Sequence, residues 1–130
     1  MQEYTFFILT IALLTFILYR KFSFSTNKNI HNITAEEAYQ LIKTKIDLII
    51  IDVRTKQEFQ TGHIPGAKSI PVAEFALRIN ELNKYKDTPI LVHCASGGRS
   101  PATVRVLLKN NFSNIYHMKR GLSGWKYGLK

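Results

Sequence analysis

Residues 90–110 read ILVHCASGGRSPATVRVLLKN, and the character of the chain changes twice within them. Ile90-Leu91-Val92-His93 follows Pro89 as a short apolar run without alternation, the pattern of a strand buried on both faces. Cys94-Ala95-Ser96-Gly97-Gly98-Arg99-Ser100 is small and polar and continues neither a strand nor a helix. Pro101 then stands where a helix accepts proline, in its first turn, and residues 101–110 carry a helical pattern. Strand, loop and helix in that order form the unit of an α/β domain with a mostly parallel sheet. In such a sheet ligands bind beyond the carboxyl ends of strands, which is where this loop falls.

Working outward, the same alternation recurs from Ile33 onward. Thr34-Ala35-Glu36-Glu37 reads as a capping box opening a helix with Ala38, Leu41 and Ile42 on one face. Asp47 to Val53 (DLIIIDV) is a second doubly buried strand. A short helix over Lys56 to Gln60 ends at Gly62. Residues Ala67 to Ile70 are a short strand before Pro71. Ala73 to Leu82 shows helical spacing at Phe75, Ile79 and Leu82, and Asn114 to Met118 is a last strand.

Toward the N-terminus, Tyr4 to Tyr19 is a 16-residue run without a formal charge. It has no polar face, so it is not a surface helix. At about 1.5 Å per residue it spans roughly 24 Å, and the flanking Arg20 and Lys21 can snorkel to make up a bilayer core of about 30 Å. A membrane-spanning helix over residues 4–20 is the leading reading, ahead of a cleaved secretory signal, which Glu3 disfavours, and of a buried core helix. Arg20, Lys21 and Lys28 follow the span, so the C-terminal part is expected on the cytoplasmic side with its thiol reduced. Residues 21–32 read as a juxtamembrane linker and 33–130 as the α/β domain.

Composition narrows the chemistry. The 130-residue chain carries 18 Lys+Arg against 9 Asp+Glu, a formal +9, and a single cysteine. One thiol excludes an intrachain disulfide scaffold, a zinc site with two or more thiolates and a four-thiolate iron–sulfur cluster. No basic stripe interleaved with aromatics is present, so nucleic acid is not the expected partner. Small anions and an anionic membrane face account for the surplus.

The loop from Cys94 can activate a thiol, which attacks only as thiolate. The helix that begins near Ser100 and Pro101 turns its positive dipole end toward the loop. Gly97 and Gly98 allow successive N–H groups to converge on an anion. Arg99 adds a planar cationic fork, and Ser100 is expected to cap the helix. An inert buried thiol is the competing reading. The glycine pair, the arginine and the helix start together favour a nucleophile in an anion cradle.

Three blocks of sequence resemble the rhodanese (sulfurtransferase) family from about Ile33 to Lys126. The first is Asp52-Val53-Arg54, Glu58-Phe59, Gly62-His63-Ile64-Pro65-Gly66-Ala67 and Ile70-Pro71. The second is the loop Cys94 to Ser100. The third is Gly121-Leu122-Ser123-Gly124-Trp125, where Ser123 interrupts the family's usual adjacent glycines. The resemblance implies a three-layer α/β/α fold with a five-stranded, mostly parallel sheet, here preceded by one transmembrane helix. It implies that Cys94 takes the outer sulfur of thiosulfate or another sulfane donor, forms a persulfide and passes the sulfur to cyanide or a thiol. A thioredoxin-like protein is one such acceptor. Ala95, Ser96, Gly97, Gly98 and Arg99 would hold the donor through backbone N–H groups and the Arg99 side chain, with Ser100 completing the loop. No cofactor or metal is implied. Phosphatases and arsenate reductases of the same layout use Cys-x5-Arg, whereas four residues separate Cys94 from Arg99, which favours sulfur over phosphorus. A persulfide carrier without turnover is a further alternative.

The remaining polar residues read as support. Asp52, Arg54 and Glu58 are expected to be structural, with Arg54 and Glu58 pairing at helical spacing. His63 in its loop is expected to be a hydrogen-bonded structural residue. His93 should point away from Cys94, because neighbours on a strand face opposite sides. His31 and His117 have no metal-ligand spacing with a second histidine. Trp125 is expected to pack in the core near the active-site loop.

Overall fold

The computed structural model describes residues 1–130, with the side chains of 24–26 left aside. Five parallel strands form one sheet: β1 (Ile30–Ile33), β2 (Ile49–Asp52), β3 (Lys68–Ser69), β4 (Ile90–His93) and β5 (Ile115–Met118), in the order β1-β5-β4-β2-β3. The helices are α1 (Gln2–Thr26), α2 (Ala35–Thr44), α3 (Lys56–Thr61), α4 (Val72–Phe75) and α5 (Ser100–Lys109), with 3-10 segments at Ile79–Tyr85 and Gly121–Gly124.

The sheet is two-sided because its central strands are apolar at successive positions. Every residue of β4 is buried. Ile51, Ile90 and Val92 pack into one cluster with Val104, Leu107 and Phe112, while Ile50 and Leu91 pack on the other side with Ala38, Ile64 and Met118. That division is the period-two alternation of a pleated strand. Cys94 belongs to the first cluster, on the side of α5.

Several local expectations are corrected. The segment read as one helix over Ala73 to Leu82 divides into α4 and the 3-10 segment Ile79–Tyr85. Ile79, Leu82 and Tyr85 recur every third residue, and three residues per turn sets them on one face. The capping box at Thr34 is half formed: Thr34 Oγ1 accepts from the Glu37 N–H at 3.2 Å. A complete box occurs instead at Thr55 and Glu58, where each side chain satisfies the other's backbone N–H. Two elements reach into the stretch 21–32 read as a linker, since α1 runs to Thr26 and β1 begins at Ile30. The apolar part of α1, Gln2–Ser23, is long enough to cross a membrane, and none of it is buried against the domain, which removes the core-helix alternative.

Candidate active site

Cys94 leaves the carboxyl end of β4 and is buried, with 1% of its surface exposed. The Gly97 N–H donates to its Sγ at 3.1 Å, and Ser100 Oγ lies 3.4 Å away. Burial pushes the thiol pKa up, but the Ser100 hydroxyl and the backbone N–H groups of Ser100, Arg99 and Gly97 outweigh it and leave the thiol below its ordinary value. This is the balance a nucleophilic cysteine needs: a dry sulfur whose anion is met by fixed donors.

Two glycines make the curl possible. Gly97 has φ +93, and a Cβ there would collide with the Lys119 carbonyl oxygen. Gly121 has φ +57, and a Cβ would meet the Cys94 carbonyl and the Ala95 backbone. The 3-10 turn Gly121–Gly124 therefore lies directly under the loop, where Leu122 N–H donates to the Cys94 oxygen at 3.0 Å and Ser123 N–H to the Ala95 oxygen at 2.9 Å. Ser123 makes its contact through the backbone, so a serine serves there as well as a glycine.

Ser100 does not cap α5. Arg99 holds the cap position without a side-chain cap bond, and Ser100 is the first helical residue with its hydroxyl turned inward. The Arg99 guanidinium does not converge on Sγ either: Nη1 and Nη2 donate to Glu58 Oε1 and Oε2 at 2.7 and 2.9 Å. The Arg99 bond, ahead of the opposing effect of burial and the added Thr55 donors, lowers the Glu58 pKa to about 2. The expected pairing of Arg54 with Glu58 is absent. Thr55 caps α3, so Arg54 lies outside the helix and the four-residue spacing has no helical meaning there. Arg54 turns back to Asp52 instead, with Nε at 3.0 Å from both carboxylate oxygens and Nη2 at 2.7 Å from Oδ2. Its Nη2 also donates to the Gly62 carbonyl at 2.7 Å, tying β2 to the loop after α3.

The other polar residues take supporting places. His63 Nδ1 lies 2.9 Å from the Phe59 oxygen, and its ring stacks on Phe59. His93 is buried one residue before Cys94, beside Asp52 with Nε2 3.7 Å from Oδ2. Trp125 packs edge-on to Tyr39 and Tyr127 against the second cluster, whereas Cys94 belongs to the first. Gly97 and Gly98 of the loop line a pocket together with Pro101, Ala102 and Arg105 of α5 and Lys21 of α1.

One residue set escaped the sequence reading. His117 on β5 is buried, its Nε2 2.7 Å from Ser100 Oγ and its Nδ1 3.0 Å from Asn32 Oδ1. The available signal was a histidine at an inward position two residues after Ile115 on a short strand.

A buried, donor-stabilised cysteine lies at the end of a parallel strand, cradled by a glycine loop that opens a helix, in an α/β protein with a five-stranded parallel sheet. Residues 34–127 match the family described as Rhodanese-like domain, and the chain belongs to that family. It is 34% identical over 123 residues to the uncharacterized protein YqhL of Bacillus subtilis, covering 95% of this chain and 94% of that one. It is 33% identical over 82 residues to the thiosulfate sulfurtransferase GlpE of Pseudoalteromonas translucida, covering 63% of this chain and 76% of that one. Among solved structures, a rhodanese-like domain protein from Staphylococcus aureus aligns with a TM-score of 0.69 and 31% identity, covering 76% of this chain and 95% of that one. Sulfur transfer is thereby supported at the level of the family.

Proposed function

We propose that this chain is a membrane-anchored sulfurtransferase in which Cys94 carries sulfane sulfur. The Cys94 thiolate attacks the outer sulfur of thiosulfate or a related anionic donor; the new S–S bond forms as the old one breaks, and sulfite leaves with the electron pair. Cyanide or a thiolate then attacks the outer sulfur of the Cys94 persulfide, and the Cys94 thiolate is the leaving group. The loop N–H groups of residues 95–99 favour the anionic donor and then the persulfide, with Ser100 beside the sulfur. In this reading Asp52, Arg54, Glu58, His63 and Trp125 hold the scaffold.

The observation that carries the proposal is the Cys94 sulfur itself: buried, 3.1 Å from the Gly97 N–H, in a loop with only four residues before Arg99. That short cradle suits a sulfur atom better than a tetrahedral phosphate. The helix α1 serves as the anchor, with residues 33–130 as the catalytic domain on the cytoplasmic side. Full-length protein in detergent, incubated with thiosulfate and cyanide, is expected to release thiocyanate. Incubated with thiosulfate alone, it is expected to gain about 32 Da, one sulfur, on Cys94. An unchanged rate in Cys94→Ala would refute the proposal, and sulfur loading without turnover on any small acceptor would favour a carrier instead.

A further inference from the structure

The hydrogen bonds behind Cys94 form a chain with a definite direction. Asn32 presents Oδ1 to His117 Nδ1 at 3.0 Å. An amide oxygen only accepts, so Nδ1 carries the hydrogen and Nε2 is left bare. A bare Nε2 accepts from the Ser100 hydroxyl at 2.7 Å. The Ser100 oxygen then has its lone pairs for the Cys94 S–H, 3.4 Å away. Cys94, Ser100 and His117 are all buried, and Asn32 and His117 are register partners on β1 and β5. The sheet therefore holds the far end of the chain, and α5 holds its middle.

We propose that His117 is a positioning residue that receives the Cys94 proton through Ser100, so that the thiolate forms inside the site without an external base. The inference rests on the reading of Cys94 as the sulfur-accepting nucleophile. In the step, the proton on Sγ passes to Ser100 Oγ as the hydroxyl hydrogen passes to His117 Nε2. One S–H bond and one O–H bond break, one O–H bond and one N–H bond form, and the net charge of the site is unchanged. Ser100 ends with its hydrogen directed at the sulfur anion, adding a donor to the Gly97 N–H. When the thiolate leaves at the end of a cycle, the same chain is already set for the next donor.

Burial alone holds His117 at about 4, so it does not keep a proton taken from neutral solution. A proton taken from Cys94 differs because it leaves an anion one serine away, in a dry site where opposite charges attract strongly. Hydrogen-bonded to the imidazole are Asn32 from β1 and Ser100 from α5, and Ser100 links it to Cys94 from the loop. Asn32 and Ser100 are neutral, so Cys94 is the charge-bearing member of this chain that sets the balance.

The test measures Cys94 alkylation by iodoacetamide as a function of pH on the full chain in detergent. His117→Gln keeps a polar side chain beside Ser100 but cannot hold the proton. It is expected to raise the apparent thiol pKa by about one unit and slow alkylation about tenfold near neutrality. Ser100→Ala is expected to do the same, and the double variant no more than either alone. Coincident wild-type and His117→Gln profiles, or additive effects of the two substitutions, would overturn the proposal. Should His117→Gln not fold, nitrogen NMR of the wild-type imidazole decides. An Nε2-protonated imidazolium present together with the thiolate near neutral pH is expected, and an imidazole that is neutral wherever the thiolate is present overturns it. Alkylation needs no sulfur donor, so absence of thiocyanate in the wild type refutes the functional reading and leaves this test intact.

Discussion

Substituting Glu58→Gln removes the carboxylate that holds both terminal nitrogens of the Arg99 guanidinium. Both side chains are more than one-third exposed, 38% for Arg99 and 35% for Glu58, so solvent screens the pair. The shift of the Glu58 pKa from 4.5 to about 2 corresponds nominally to about 3 kcal/mol, but for so exposed a pair the stability at stake is closer to about 1 kcal/mol. Because the folded value is depressed, that contribution is present above the ordinary carboxylate pKa and is lost as the pH falls toward 2. The kinetic effect is more informative. The substitution adds one unit of positive charge at the rim of the cradle. Acting on a dianionic donor at about 8 Å under nearly aqueous screening, it gives about 1 kcal/mol, or about a fivefold lower KM for thiosulfate. Steady-state thiocyanate release at low salt measures it, with the gap between variant and wild type narrowing as sodium chloride is raised. Glu58→Asp, which keeps the charge, is expected to leave KM near the wild-type value. A KM for Glu58→Gln that is unchanged or higher would refute the view that Glu58 withholds Arg99 from the donor.

Two other perturbations address the scaffold and its protonation. Gly121→Ala places a methyl group against the Cys94 carbonyl and the Ala95 backbone at a left-handed φ of +57, and is expected to cost about 3 kcal/mol in urea unfolding while slowing Cys94 alkylation; a loss below about 1 kcal/mol would show that the turn is not held against the loop. His117, depressed by burial from 6.5 to about 4, binds its proton more readily when unfolded, so stability is expected to fall as the pH drops from about 6.5 to about 4, by up to about 3 kcal/mol, and then to level off. Thermal melts of wild type and His117→Gln across that window test it, and parallel curves would refute it.

What could be read from the sequence and what could not divide along chain separation. Cys94, the glycines and the start of α5 are adjacent in sequence, and strand, loop and helix patterning are local properties, so the parallel sheet and the glycine loop at the end of β4 were legible. The partnership of Arg99 with Glu58 joins residues 41 apart, and that of His117 with Asn32 joins residues 85 apart. Such pairs depend on which strands become neighbours and in what register, which periodicity does not encode. Arg54 failed differently. Its spacing from Glu58 suits a helix, but Thr55 caps that helix one residue later, and the buried Asp52 carboxylate was the nearer partner. The split of α4 from the following 3-10 segment was hidden because the apolar spacing at Phe75, Ile79 and Leu82 fits a regular helix, until Tyr85 extends the three-residue step.

Between Thr26, where α1 ends, and Ile30, where β1 begins, there are only three residues. Fully extended, they reach about 11 Å. If α1 is seated in a bilayer over residues 4–20 as proposed, the six helical residues from Lys21 to Thr26 add about 9 Å to that reach and hold the α/β domain within about 20 Å of the surface. On the proposed anchoring, a sulfur donor or acceptor resident in the same membrane would meet Cys94 by lateral diffusion.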